Sequence, residues 1–372
     1  MHARVSTTGT VDQVRRWRGI VLLLVFAGCG CDPDNPTGPD PDALFTPTSA
    51  ALLTASSPTG DEDPTVVRAR DGAIYLAWFS NRGNNPDIYI THTARGTQWT
   101  APVRVTTSPA GDFAPSLYQD EQGRFHLAWF RWTALNSGHI WYNSSADGQT
   151  WNANDEVRVT SEINVDDWVP TLTQAPNGTL LIYFVSALRD PSGRSDLWFT
   201  QKPPSATSWS PAARVPVINS ASEHDHLPFV ARTGNHLTLV WERHDSTQAL
   251  PWLNPKSRIY FATSGDGTAW SAPVQITQDA GAVVNLFPGL YQRFDGSWTI
   301  NWLSTRAGGT RLFELPLANA ANFPTGLSEN TMLPGAAYSH RITQTSTPGI
   351  YIGVWVQGPD GAQDIYYRFF ER

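Results

Sequence analysis

One short pattern returns along this chain and limits what it can fold into. A proline opens an apolar stretch at Pro64, Pro115, Pro170, Pro228 and Pro288, and one hairpin's length further on a large aromatic follows at Trp78, Trp129, Tyr183 or Phe184, Trp241 and Trp302. A last copy carries Trp355, with Arg341 near the proline position. Between the two anchors sit Asp71-Gly72, Gln122-Gly123, Asn177-Gly178, Gly234-Asn235, Asp295-Gly296 and Pro348-Gly349, the composition of hairpin turns. A third strand follows at Asp87, His139, Asp196, Arg258, Arg311 and Asp364, each leading a run such as Asp-Ile-Tyr-Ile or Arg-Ile-Tyr-Phe. A fourth begins at a turn whose fullest copies are Ser145, Asp147, Gly148, Trp151 and Ser264, Asp266, Gly267, Trp270, with weaker copies at Trp99 and Trp209. Asp suits such a turn because its carboxylate bonds nearby backbone amides, and Gly because it takes positive φ without steric cost.

Six such four-stranded units predict an all-β chain, a six-bladed β-propeller of antiparallel blades, because radial repetition protects sheet edges. The final copy stops after its third strand at Arg372, while Phe45–Thr54 matches the fourth-strand segment Trp99–Thr106. The N-terminal strand is therefore expected to complete the last blade and close the ring. The period does not break, so residues 44–372 read as one domain. Aromatic residues at 12% and charged residues at 16% give ample core material, and Gly and Pro throughout favour short strands over helices.

Residues 1–28 read as a targeting segment: Arg15, Arg16 and Arg18 precede the apolar run Ile20–Ala27, which is too short to span a membrane. The run ends Phe26-Ala27-Gly28-Cys29, which resembles a bacterial lipoprotein signal and implies lipidation at Cys29; an ordinary secretory signal or an N-terminal anchor is the other reading. Residues 29–43, rich in Pro and Asp, read as a solvated tether. Cys29 and Cys31 are the two cysteines, so the propeller is expected to hold neither a disulfide nor a cysteine metal site. A net charge of −7 without a basic run argues against nucleic acid. The expected setting is the bacterial cell envelope, as a lipid-anchored monomer.

The Ser-x-Asp-Gly…Trp turns resemble the Asp-box (BNR) repeats of the sialidase-like six-bladed propellers, over residues 44–372. For a sialidase the resemblance implies three arginines on the substrate carboxylate, a tyrosine nucleophile assisted by a glutamate, and an aspartic acid/base. Ala337-Tyr338-Ser339 resembles the nucleophile segment, Arg243 and Arg306 lie where the second and third arginines belong, and Glu223 or Glu242 matches the glutamate. Two departures stand against this. Glu62-Asp63-Pro64 replaces the first arginine motif, and Asp87 shares its slot with Asp196 and Asp364, which reads as scaffold.

Alternating strand direction puts the Asp-box turns on one face of the ring and the loops between second and third strands on the other, where a ligand site is expected. Trp132, Trp168 and Trp252 have no repeat equivalents and fall on that ligand face, where exposed aromatics suit sugar stacking. Asp61, Asp112, Asp167, Asp225 and Asn285 recur three residues before the prolines, and Arg82, Arg131, Arg189, Arg243 and Arg306 recur after the second strands. They form either a charged ring at the mouth or Asp–Arg pairs joining blade to blade; a feature in nearly every blade favours the pairs. Breaks in the symmetry carry more: Glu223-His224-Asp225-His226, and Asp166 beside Asp167 and Trp168. Two histidines two apart are weak evidence for a metal, so neither metal nor cofactor is expected. The candidate ligand residues are Trp132, Asp167, Trp168, His224, His226, Glu242, Arg243, Trp252 and Arg306, with Tyr338 catalytic in the sialidase case. The first reading is a surface-tethered propeller recognising an extracellular ligand, a glycan before others. A sialidase or related glycoside hydrolase is the second, and a protein-binding or structural propeller the third.

Overall fold

The computed structural model describes residues 45–54, 60–83, 85–94, 96–134, 137–245, 257–279, 283–333, 339–359 and 362–372. Cys29, Trp252 and Tyr338 lie outside them. Six four-stranded antiparallel sheets form a six-bladed β-propeller. The innermost strands of blades one to six are Asp61–Arg68, Gly111–Gln119, Asp167–Gln174, Glu223–Thr233, Asn285–Gln292 and His340–Gln344. Blade six takes its outer strand from the N-terminal end: Ala51 pairs with Tyr367 and Leu52 with Tyr366. The ring closes as the repeat pattern predicts.

The apolar cores lie between blades. Leu181, Tyr183 and Val185 of blade three pack with Val230, Leu239 and Trp241 of blade four. Ile74, Leu76 and Trp78 of blade one pack with Ile352, Val354 and Tyr367 of blade six. Each such side chain contributes about 1.5–3 kcal/mol by leaving water, so neighbouring blades hold one another.

A second set of contacts fixes each blade internally. In blade two the carboxylate of Asp112 accepts from the Trp129 indole N–H at 2.9 Å and from Arg131 at 2.6 and 2.9 Å. The same arrangement joins Asp61 to Trp78 and Arg82, and Asp225 to Trp241 and Arg243. Blade three has Phe184 in the tryptophan slot, and Asp167 pairs with Arg189. In blade five Asn285 replaces the acid; it accepts from Trp302 and Arg306, and Asp279 supplies the missing charge. Each guanidinium also lies over the aromatic ring, from 5.4 Å at Trp302 to 5.8 Å at Trp241. The Asp–Arg pairs are scaffold, but they sit within a blade, joining its first strand to the end of its second. The expected pairing from blade to blade is corrected on this point.

Blades are instead joined across their outer parts by the Ser-x-Asp-Gly turns. Asp147 Oδ1 accepts from the backbone N–H groups of Gln149 and Thr150 at 2.9 and 2.7 Å, which holds its carboxyl far below the usual carboxylate range. The turn's backbone then reaches the preceding blade: Tyr75 donates to the Asp147 carbonyl, and Tyr183 to the Gly267 carbonyl at 2.6 Å. Gly267 has φ of +84°, and a Cβ there would meet Leu181 Cδ1 at 2.3 Å. No other residue fits, because the turn must both reverse and press against its neighbour.

Candidate functional site

The innermost strands surround a channel of about 410 Å³, bordered by residues such as Thr65, Ser116, Thr171, Phe229, Leu290 and Arg341. At its mouth, on the face opposite the Ser-x-Asp-Gly turns, a second cavity of about 280 Å³ opens. This lies near the lower end of the range for small-molecule pockets, about 300 Å³ upward.

The repeated prolines shape this mouth. The residue before each takes a left-handed backbone: Asp63 at φ 50°, Ala114 at 45°, Val169 at 48°, Leu227 at 46° and Phe287 at 53°. Each sits at a β-bulge, where the register slips between Glu62 and Thr65 in blade one and at equivalent places in the next four blades. Such conformations cost about 1–3 kcal/mol each for non-glycine residues. All five residues border the cavity. The bulge thus turns one residue per blade toward the axis, and Asp63 is the charged one. Blade six lacks the bulge: His340–Gln344 pairs evenly with Tyr351–Trp355, and Arg341 enters the same cavity.

The wall is aromatic and the chemistry acidic. Phe79, Phe113, Phe130 and Trp168 border the cavity, with Phe113 stacked on Phe130 at 5.2 Å. Its titratable groups are Glu62, Asp63, His226, Glu242 and Arg341. Glu242 is fully buried, and neither of its carboxylate oxygens has a hydrogen-bond partner among the described residues. Burial therefore pushes its carboxyl well above the usual range. The Ser257 hydroxyl offsets part of that rise but is itself bonded to the Asn285 carbonyl oxygen. Asp63 is enclosed by protein yet half-exposed to the cavity; burial raises its pKa to about 6 and the Arg341 charge lowers it. Burial thus works against ionisation of both Glu242 and Asp63, and at Asp63 the Arg341 charge offsets it; Glu62 is the third carboxyl bordering the cavity.

His226 stands in register with Glu242 and makes an edge contact with Trp168 at 5.3 Å. Behind it, His224 and His244 stack at 5.0 Å, and His244 lies 4.8 Å from His226. Burial lowers all three, His244 to about 4. No group of three His, Cys, Asp or Glu among the described residues is placed to hold a metal ion.

Of the residues singled out from the sequence, Trp168, His226 and Glu242 meet in this cavity. His224 lies behind them, where its Nδ1 accepts from the Ser195 backbone N–H at 3.0 Å. Trp132 is 49% exposed at the end of its strand and is not part of the wall. Asp167, Arg243 and Arg306 are engaged in the pairs inside their blades. The sequence reasoning left out Asp63, Arg341 and the phenylalanines; the position just before each anchor proline is the signal that would have found Asp63 and Phe287.

No family model matches the chain, and no curated protein matches it. Solved structures do. A protein of unknown function from Dyadobacter fermentans is 14% identical with a TM-score of 0.68, the match covering 88% of this chain and 98% of that one. The α-L-arabinofuranosidase of Fusarium graminearum, in complex with an iminosugar inhibitor, is 16% identical with a TM-score of 0.68 over 87% of this chain and 98% of that one. A Hadza microbial sialidase is 12% identical with a TM-score of 0.58 over 84% of this chain and 66% of that one. At these identities the likeness shows the propeller fold, one that glycoside hydrolases share.

Proposed function

We propose that the protein is a glycoside hydrolase acting on a neutral sugar, seated in the mouth cavity, with Glu242 as proton donor and Asp63 as its ionised partner. The observation that carries this reading is the buried, unpartnered carboxyl of Glu242 bordering the same cavity as Asp63. Glycosidic cleavage by two carboxyl groups needs one protonated to donate to the leaving oxygen and one ionised to face the charge developing at the anomeric carbon. Environments that push two carboxyl groups apart in this way mark the acid and its partner. Phe113, Phe130 and Trp168 offer the flat apolar surface that a sugar face stacks against. Two carboxyl groups, Glu62 and Asp63, stand in the cavity against Arg341, the single cation there among the described residues, where a sialidase would set three arginines on the substrate carboxylate; this favours a neutral sugar, and the sialidase alternative, with Tyr338 as nucleophile, is the weaker for it.

A recognition propeller without turnover is the second reading, favoured by the same aromatic wall, which serves binding by itself. The proposed setting for both is the bacterial cell envelope, with a lipid anchor at Cys29 and the Pro/Asp-rich residues 29–43 as a tether. The test is a panel of chromogenic aryl glycosides of neutral sugars, with a sialoside beside them. Hydrolysis of a neutral glycoside is expected to fall about 10²–10⁴-fold in Glu242→Gln, the usual worth of a general acid, with sugar binding retained. Sugar binding without turnover in the parent protein would favour recognition. Turnover of the sialoside, lost in Tyr338→Phe, would favour the sialidase.

A further inference from the structure

Arg341 is the residue at which the sixth blade departs from the other five. In those blades the neighbouring position is a proline behind a bulge; here the strand runs straight and carries an arginine instead. The guanidinium borders both the mouth cavity and the channel beneath it. It reaches across the axis, past blade five, to lie 5.0 Å over the Phe229 ring of blade four, and its Nη1 donates to the His340 carbonyl at 2.7 Å. Asp63 borders the same cavity from the inner strand of blade one, next to that of blade six around the ring. A cation fixed at both ends in a low-dielectric site acts strongly on a carboxylate facing it.

We propose that Arg341 is a positioning residue that forms the floor of the sugar cavity and keeps Asp63 ionised, so that it sets the acid limb of the reaction. This rests on the hydrolase reading above. Bordering one cavity, the two groups act on each other in the sense expected of opposite charges: Asp63 is lowered by Arg341, and Arg341, brought down to about 10 by burial, is raised by Asp63. Arg341 therefore stays charged over the working range. The other titratable groups facing Asp63 across the cavity are Glu62, His226 and Glu242, with His340 beside Arg341. None of them is a fixed cation: burial lowers His226 and His340 and so disfavours their charged forms, and Glu62 and Glu242 are carboxyl groups. Removing Arg341 leaves Asp63 without its compensating charge.

The experiment uses the full chain as parent, Arg341→Met, Arg341→Lys and Asp63→Asn. The Asp63 carboxyl is titrated by carbon NMR without ligand, its signal identified by its loss in Asp63→Asn. In Arg341→Met the midpoint is expected to rise by about one pH unit, a tenfold change in proton affinity, and Arg341→Lys to restore most of it. The acid limb of kcat/KM on the best aryl glycoside is expected to move by the same amount. An unchanged midpoint in folded Arg341→Met overturns the proposal, and so does a midpoint that moves while the acid limb stays. Arg341→Gln replaces Arg341→Met if the latter does not fold. The titration needs no substrate, so a parent protein that hydrolyses nothing sinks the hydrolase reading by a separate measurement.

Discussion

At the scale of single residues, the same side-chain types do opposite work according to whether they are paired. Asp112 is fully buried but answered by Trp129 and by both arms of Arg131. Replacing it with alanine leaves the Trp129 indole N–H unanswered and Arg131 with Glu156 as its remaining carboxylate, and Asp112→Ala is expected to cost about 3 kcal/mol in urea unfolding. Glu242 is equally buried and unanswered. Its raised pKa means that the folded chain keeps a proton the unfolded chain releases. That contribution is present below the unfolded pKa and is lost as pH rises toward the folded value. Glu242→Gln removes the dependence, so parent and variant are expected to converge at acid pH, with the variant ahead at alkaline pH. Parallel stability curves would show that Glu242 is answered after all. The repeated Asp and Arg were legible as scaffold because they recur, yet which partner each meets was not, since spacing alone does not separate a pair within a blade from one between blades. Asp63 was read as a departure from a sialidase pattern. A residue before proline is ordinarily extended, and nothing in the string of letters announces five left-handed bulges.

Elements bring these residues to one place. The paired strands Glu223–Thr233 and His236–Asp245 put His224, His226, Glu242 and His244 on one side and Asp225 and Arg243 on the other. The break in symmetry at Glu223–His226 therefore divides: His226 borders the cavity, and Asp225 faces the scaffold. Lowered histidines give this blade a pH dependence whose sign follows from linkage. Between about pH 6.5 and about 4 the unfolded chain takes up protons that folded His244 refuses, so stability falls as pH drops through that window. Asp63 and Asp196, raised to about 6 by burial, act in the opposite sense. The comparison that isolates the cluster is parent against His244→Asn, each unfolded at pH 7 and at pH 5. The parent is expected to lose more stability on acidification than the variant, and equal losses would remove the cluster from the account. The Ser-x-Asp-Gly turns were legible as local structure from sequence. Their docking on Tyr75 and Tyr183 of the preceding blades was not, because it depends on which hydroxyl the ring brings within reach.

For the whole molecule, repetition made six blades and their closure readable before any coordinates, since a four-strand period with one strand missing at the end and one spare at the start has few other solutions. The closure matters to the site as well as to the fold. Ser339 and Arg341 of blade six face Glu62 and Asp63 of blade one across the cavity, and the N-terminal strand completes the blade that brings them together. That strand is held by Ala51 and Leu52 pairing with Tyr367 and Tyr366, by the Thr48 N–H donating to the Phe369 carbonyl at 2.9 Å, and by Phe45, 2% exposed, against the Phe369 ring at 5.2 Å. Phe45→Ala is expected to cost about 3–5 kcal/mol, the usual range for a buried phenylalanine. Deleting residues 45–54 removes more than packing, because it leaves Asp364–Glu371 as an open sheet edge, a template for pairing with another chain. The deleted chain is expected to associate in size-exclusion chromatography and to lose sugar binding together with stability. A synthetic peptide of residues 45–54 is expected to restore both by refilling the edge. A deleted chain that elutes as the parent does, and that keeps whatever sugar binding the parent has, would mean that blades six and one hold the mouth in shape without the closing strand.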